Sequence, residues 1–314
     1  MPRYGERDEM DPDVAFRIGA LADDHLSGAT ELAARAADIF TLAAQVSRAP
    51  GASQFLADLA EAGRFIAAAQ PAMAPLMRLA NAALWAADRA PVGEKRAAVE
   101  QAAQAFAAGL TASAALAVAG AVAALPAHAV VVSHSASSVV EATLRHAHAQ
   151  GRLSRVVASE ARPLAEGAGL ARRLAATGIP VTVVTDALAP SLVAEADVVL
   201  VGADTVAPSH VVNKAGTYPL ALAARECETP LMVVAGSEKL LPAALFDAGA
   251  AVGEARDSAE VLAHPPPGVS VLNRQFDLTP LDLVTWVVTE RGPLTRDGVI
   301  AACEAIVVHP ALLG

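Results

Sequence analysis

Apolar positions recur at helical spacing through the first third of the chain and give way to short β-branched runs beyond it. In ELAARAADIFTLAAQV and QFLADLAEAGRFIAAA the apolar residues return so as to line one face of a helix. Helices are therefore predicted from residue 14 to about 124, broken at Pro50-Gly51, Gln70-Pro71 and Pro91-Val92-Gly93. No strand is predicted there. From about 126 the runs AVVVS (129–133), RVVAS (155–159), VTVVT (181–185), DVVLVG (197–202) and LMVVA (231–235) alternate with helical patterns such as VVEATLRHAHAQ and AGLARRLAATG. Apolar strands flanked by helices predict a parallel sheet covered on both faces. Gly178-Ile179-Pro180 and Thr229-Pro230 each fit a helix stop ahead of a strand. Beyond the proline-rich loop HPPPG (264–268), the pattern predicts a short strand, VSVLN, and a helix around TPLDLVTWVVTE. The expected fold class is α/β, with an all-helical domain over residues 1–124 and a Rossmann-like domain with a mainly parallel sheet over 125–314.

Composition narrows this picture. The chain has 314 residues, enough for one large or two medium domains. Hydrophobic residues make up 54% but aromatics only 4%, so the core must be aliphatic and rich in alanine. The net charge of -10, with only 23 scattered basic residues, gives no footprint for a nucleic-acid backbone, and no direct nucleic-acid binding is expected. A few local donors could still hold one phosphate. Cys227 and Cys303 both read as buried free thiols, which fits a reducing compartment. The polar, acidic start MPRYGERDEMDPD does not read as a secretory signal. Residues 105–125 are long enough to span a bilayer but are mostly Ala, Gly, Ser and Thr with no basic flank. A buried helix leading into a buried strand is the better reading, with no membrane partner, and a cytoplasmic location is expected.

In an open parallel sheet, ligands bind just past the carboxyl ends of the strands. Past the first strand comes Ser133-His134-Ser135-Ala136-Ser137-Ser138, opening a helix. Hydroxyls and free N–H groups at a helix start can cradle an anion or sugar hydroxyls; simple N-capping by one serine explains the same residues equally well. Past the second strand, Glu160 and Arg162 could grip a polar ligand or pair with each other. Past the fourth, Gly202-Ala203-Asp204 places a carboxylate at the crevice mouth, suited to acid/base work or to loop capping. Asp186 closes the third strand in a similar way. Asn213-Lys214 ahead of Gly216-Thr217 puts a cation beside an amide at a helix start, which suits a phosphate. His146 and His148 do not share a helix face, so no metal is expected. Neither a Walker A pattern nor a GxGxxG follows the first strand, and no nucleotide cofactor is expected.

The ordered set SHSASS, SEARPLAEG, GIPVTVVTDA, VLVGADTV, VVNKAGTYPLALAA, FDLTP and TERG resembles one superfamily over residues 129–295, with a weaker echo, DDHLSGATELA, at 23–33. That superfamily holds methylthioribose-1-phosphate isomerase, ribose-1,5-bisphosphate isomerase, and the alpha, beta and delta subunits of translation initiation factor 2B. The resemblance implies a helical amino-terminal domain, a Rossmann-like domain through which a homodimer forms, and a sugar-phosphate pocket between the two. It implies that Ser27, Gly28 and Ala29 contact ligand together with Ser133, His134, Ser137, Glu160, Arg162, Asn213 and Lys214. In the isomerases a Cys past the first strand and the Asp of GAD carry proton or hydride transfer, and these positions correspond here to Ser135 and Asp204.

The departures weigh as much as the matches. A thiol titrates near pH 8.5 and an alkyl hydroxyl is a far weaker acid, so Ser135 cannot simply replace that Cys. The isomerase Arg-Gly-Ala reads Ser27-Gly28-Ala29, and a further isomerase Arg aligns with Gln70. The first expectation is an initiation factor 2B-like protein that binds a small phosphorylated ligand, a sugar phosphate or nucleoside monophosphate. Two alternatives stand beside it: an aldose–ketose isomerase acting on a C1-phosphorylated pentose, and a translation-initiation regulatory subunit working through protein contacts.

Overall fold

The computed structural model describes residues 10–253 and 255–313. Residues 1–9, part of the polar, acidic start read above, lie outside the described residues. The helical part comprises α1 (Pro12–Ala22), α2 (Ala29–Val46), α3 (Ala52–Ala69), α4 (Ala74–Arg89) and α5 (Lys95–Ala124). Pro12 opens α1 behind Asp11, whose carboxylate accepts the Asp13 N–H at 3.0 Å. Leu32, Phe40, Leu59, Ile66, Leu76 and Leu84 meet in one apolar core, and small residues let the helices approach closely. Gly63 is such a place: a Cβ there would lie 3.0 Å from the Ala80 side chain.

Beyond α5 the chain alternates as its β-branched runs predict. The elements are β1 (Ala129–Ser133), α6 (Ser138–Ala149), β2 (Leu153–Ser159), α7 (Glu166–Ala175), β3 (Val181–Val184) and β4 (Val198–Val201). They continue with β5 (Thr205–Val206), β6 (His210–Lys214), α8 (Thr217–Glu226), β7 (Leu231–Val234), α9 (Ala248–Gly253), β8 (Phe276–Pro280), β9 (Trp286–Thr289), β10 (Gly292–Leu294) and α10 (Arg296–Glu304). Seven strands form the main sheet in the order β10-β9-β7-β4-β1-β2-β3, parallel except for the β9–β10 hairpin. Side chains alternate between two cores. Val131, Val198 and Leu200 pack toward α6, α7 and the end of α5, whereas Val132, Val199 and Val201 pack toward α8 and α10. Burial on both faces is what near-continuous valine runs require.

The strand order reverses between β1 and β4, where β1 pairs in parallel with both β2 and β4. Such a switch point opens a crevice beyond the strand ends. A second, antiparallel sheet, β5-β6-β8, hangs from the end of β4, and its Val212 packs into the helical core. Helix α5 joins the two parts. Val99, Ala103 and Leu110 belong to the helical core, while Ala117, Val118, Ala121 and Val122 lie under the main sheet.

Several expectations change. Helix α5 is buried on one face only: of its most apolar window 28% is buried, and Leu116 is exposed on the other side. The strand predicted at 269–273 does not form, because Val269 and Leu272 face solvent with no neighbouring strand to pair with. The helix predicted around 279–290 is instead the end of β8, a short 3-10 turn and β9; Pro280 and the β-branched run Val287-Val288-Thr289 favour strand, and a short apolar run does not reveal its period. Cys303 is buried as expected, but Cys227 is exposed at the end of α8.

Candidate functional site

A cavity of about 530 Å³ opens at the switch point, between the carboxyl ends of β1, β4 and β7 and the start of α2. Ser135, Ser137, Asp204, Asn213, Lys214, Ser27, Gly28 and Ala29 all line it, and so do Glu166, Gln70 and Lys239. The loop past β1 enters through Ser135, a non-glycine residue at φ 66°. Left-handed backbone at such a residue is uncommon, and here it turns the Ser135 Oγ toward Glu166 Oε1, 3.4 Å away. Ser137 is the N-cap residue of α6, yet its hydroxyl makes no capping bond. It fits because a glycine, Gly202, follows β4: a Cβ there would stand 2.6 Å from Ser137 Oγ. Gly28 holds the corresponding place at α2, again without a side-chain cap. Two helix starts with free N–H groups therefore face one cavity, and both favour negative charge.

Asp204 is fixed by its backbone. Its N–H donates to the Val212 carbonyl at 2.9 Å, and its own carbonyl accepts the Ala74 N–H at 3.1 Å. Thr205 Oγ1 accepts the same Ala74 N–H and donates to the Ala72 carbonyl, so the start of α4 is stitched to the end of β4. The carboxyl keeps a face on the cavity but is otherwise surrounded by protein, and this burial pushes its pKa above the ordinary value. Lys239 and Lys214 pull it back. Lys239, itself buried, has its pKa lowered by burial and held up by Asp204 and Glu238. A carboxyl and an ammonium whose proton affinities are drawn toward each other in a sheltered hollow can exchange protons with a bound hydroxyl.

Lys214, at the end of β6, points its Nζ to Glu166 Oε1 at 2.5 Å. Asn213 Nδ2 donates to Thr217 Oγ1 at 3.0 Å, and Thr217 Oγ1 donates to the Lys214 carbonyl at 2.7 Å, which locks the step from β6 into α8. The cation is thus neither isolated nor on a free loop; it ends a paired strand.

Several residues singled out in the sequence, Asp186 among them, do not reach the cavity wall. Ser133 is inside the sheet, its Oγ donating to the Leu200 carbonyl at 2.8 Å, because it still belongs to β1. His134 is buried between Ser159 Oγ at 2.5 Å and the Ala215 carbonyl at 2.9 Å. The carbonyl only accepts, so Nε2 carries the hydrogen and Nδ1 accepts from Ser159. Burial lowers the His134 pKa and keeps this neutral form. Arg162 turns outward, donating to the carbonyls of Pro163 and Glu260 at 2.8 and 3.0 Å, while its backbone N–H and that of Ala161 are tied to Asp186. Glu160 does not line the hollow either. Gln70 lines the cavity but spends its amide on the carbonyls of Leu21 at 3.0 Å and Asp24 at 2.8 Å, holding the loop before α2 rather than offering charge. Lys239 escaped the sequence reading altogether, although looking just past LMVVA, as past the other strands, leads to it.

The Initiation factor 2 subunit family matches residues 25–296, covering both the helical part and the sheet. The chain belongs to that family. Over 163 residues it is 44% identical to methylthioribose-1-phosphate isomerase of Pelotomaculum thermopropionicum, a match covering 48% of this chain and 43% of the relative. Over 167 residues it is 37% identical to ribose 1,5-bisphosphate isomerase of Archaeoglobus fulgidus, covering 52% and 53%. The chain spans about half the length of the curated relatives it matches. Among solved structures, the Pyrococcus horikoshii translation initiation factor eIF-2B superposes with a TM-score of 0.77 at 28% identity, over 92% of this chain and all of that one. The family fold, helices first and a mostly parallel sheet second, is the one described above.

Proposed function

We propose that this family member binds a small phosphorylated ligand, of the sugar-phosphate or nucleoside-monophosphate class, in the cavity at the switch point. The observation that carries the reading is the meeting of the Ser135–Ser138 turn, Asp204 and Asn213-Lys214 around one hollow that the start of α2 also faces. Free N–H groups at two helix starts suit a phosphate, and hydroxyls with alternating acids and amines suit a polyol. Ser135 stands where the resembling isomerases carry a thiol, so the site binds and orients without that acid, and turnover is lost or slow. In this reading Ser137, Asn213 and the Ser27–Ala29 segment contact ligand, and Asp204 with Lys239 holds sugar hydroxyls.

One observation favours a second reading, isomerisation of a C1-phosphorylated pentose: Asp204 is sheltered, its pKa is raised, and Lys239 stands by to balance its charge. An aldose–ketose isomerisation needs such a group to move a proton between neighbouring carbons. Incubation with methylthioribose 1-phosphate and with ribose 1,5-bisphosphate separates the two. Turnover that disappears in Asp204→Asn supports isomerisation; binding without turnover supports the first reading, and neither binding nor turnover counts against both. A second copy of the chain is the partner that the resemblance implies, and a monomer in light scattering contradicts that part.

A further inference from the structure

Each lysine in the cavity wall comes with its own carboxylate. Lys239 is balanced by Asp204 and Glu238. Lys214 Nζ lies 2.5 Å from Glu166 Oε1, and Ser135 Oγ donates to that same oxygen at 3.4 Å. The second oxygen of Glu166 is out of solvent and has no hydrogen-bond partner. Its charge is therefore poorly screened, and a phosphate approaching Lys214 would meet it at close range. The acids near the start of α2 are better balanced: Asp24 pairs with Arg35 and accepts the Leu26 and Ser27 N–H groups, Glu31 in the first turn is exposed to solvent, and Gly28 leaves the first N–H groups without a side-chain cap.

We infer that Glu166 is a specificity-determining residue: it sets the Ser135–Lys214 end of the cavity to receive a neutral hydroxyl and to refuse a phosphate. One phosphate then goes to the start of α2, and the cavity takes a monophosphorylated sugar in preference to a bisphosphorylated one. This rests on the phosphorylated-ligand reading above. It also gives the Lys214 ammonium a different task from the one its sequence setting implied, since it presents a neutralised, hydrogen-bonding pair and not a free cation.

Titration calorimetry with ribose 5-phosphate and ribose 1,5-bisphosphate, on the wild type, Glu166→Gln and Glu166→Ala, tests the inference. The wild type is expected to prefer the monophosphate, and both variants to move the affinity ratio toward the bisphosphate by about tenfold or more. Use of two variants separates loss of the charge from any effect of the new side chain. A wild type that prefers the bisphosphate, or a ratio left within about twofold in both variants, overturns the role of Glu166 while leaving the phosphorylated-ligand reading intact. Absence of binding by either compound to any of the three proteins overturns that reading, and the inference with it.

Discussion

The imidazole of His134 occupies the space that a Cβ on Gly216 would need: its Cε1 and Nε2 atoms stand 2.7 Å from that position. Gly216 also sits at φ 115°, where side chains are rarely found. The contact braces the end of β1 against the turn from β6 into α8, and so fixes the distance between Ser135 and Lys214. Gly216→Ala is expected to cost about 2–3 kcal/mol in urea unfolding, from strain and overpacking together. A loss below about 0.5 kcal/mol would mean that the ring is not a fixed strut.

Asp277 closes the other side of that turn, accepting the N–H groups of Gly216 at 2.7 Å and Tyr218 at 3.0 Å. Burial raises its pKa to about 6, against the lowering effect of those N–H bonds. A carboxyl with a raised pKa stabilises the fold at low pH, and that contribution fades as pH rises through the folded value. Compared with Asp277→Asn, which does not titrate, the wild type should lose about 2 kcal/mol of relative stability between about pH 4.5 and about pH 7.5. A difference that stays constant over that interval, measured by denaturant unfolding, contradicts the assignment.

Ser135→Cys restores an acid of ordinary thiol strength at the turn past β1. If the hydroxyl is what limits the chemistry, turnover of methylthioribose 1-phosphate should rise by about a hundredfold or more, in line with what a positioned acid or base contributes. The gain should hold below about pH 8.5 and fall above it, where the thiol loses the proton it would supply. A variant no faster than the wild type would locate the block elsewhere, with Ser27 and Gln70 next in line.

Much of this was legible in the chain. The valine runs at 129–133, 198–201 and 231–234 announce strands buried on both faces, the serine turn and Asp204 follow from looking past strand ends, and Lys214 follows from a cation beside an amide ahead of Gly216-Thr217. What stayed hidden depends on contacts between distant segments. Ser133 and His134 look like wall residues because they adjoin Ser135, but the end of β1 falls between them and directs them inward. The Lys214–Glu166 pair joins residues from β6 and α7, and no local pattern reports it. The second sheet was missed because FDLTP pairs only with β6, far back in the chain, and its apolar residues carry no clear period.

The claim on which the rest depends is that one hollow, walled by Ser135, Asp204, Lys214 and Lys239, holds one phosphorylated ligand. Thermal unfolding across a panel of sugar phosphates and nucleoside monophosphates tests it most directly. At a hundredfold excess over Kd, a ligand adds about 2.7 kcal/mol, or about 4 °C for a chain of this size. The account predicts that at least one member of the panel produces such a shift and that Lys239→Met reduces it. A panel that leaves Tm unmoved, or a shift that Lys239→Met leaves intact, would contradict it.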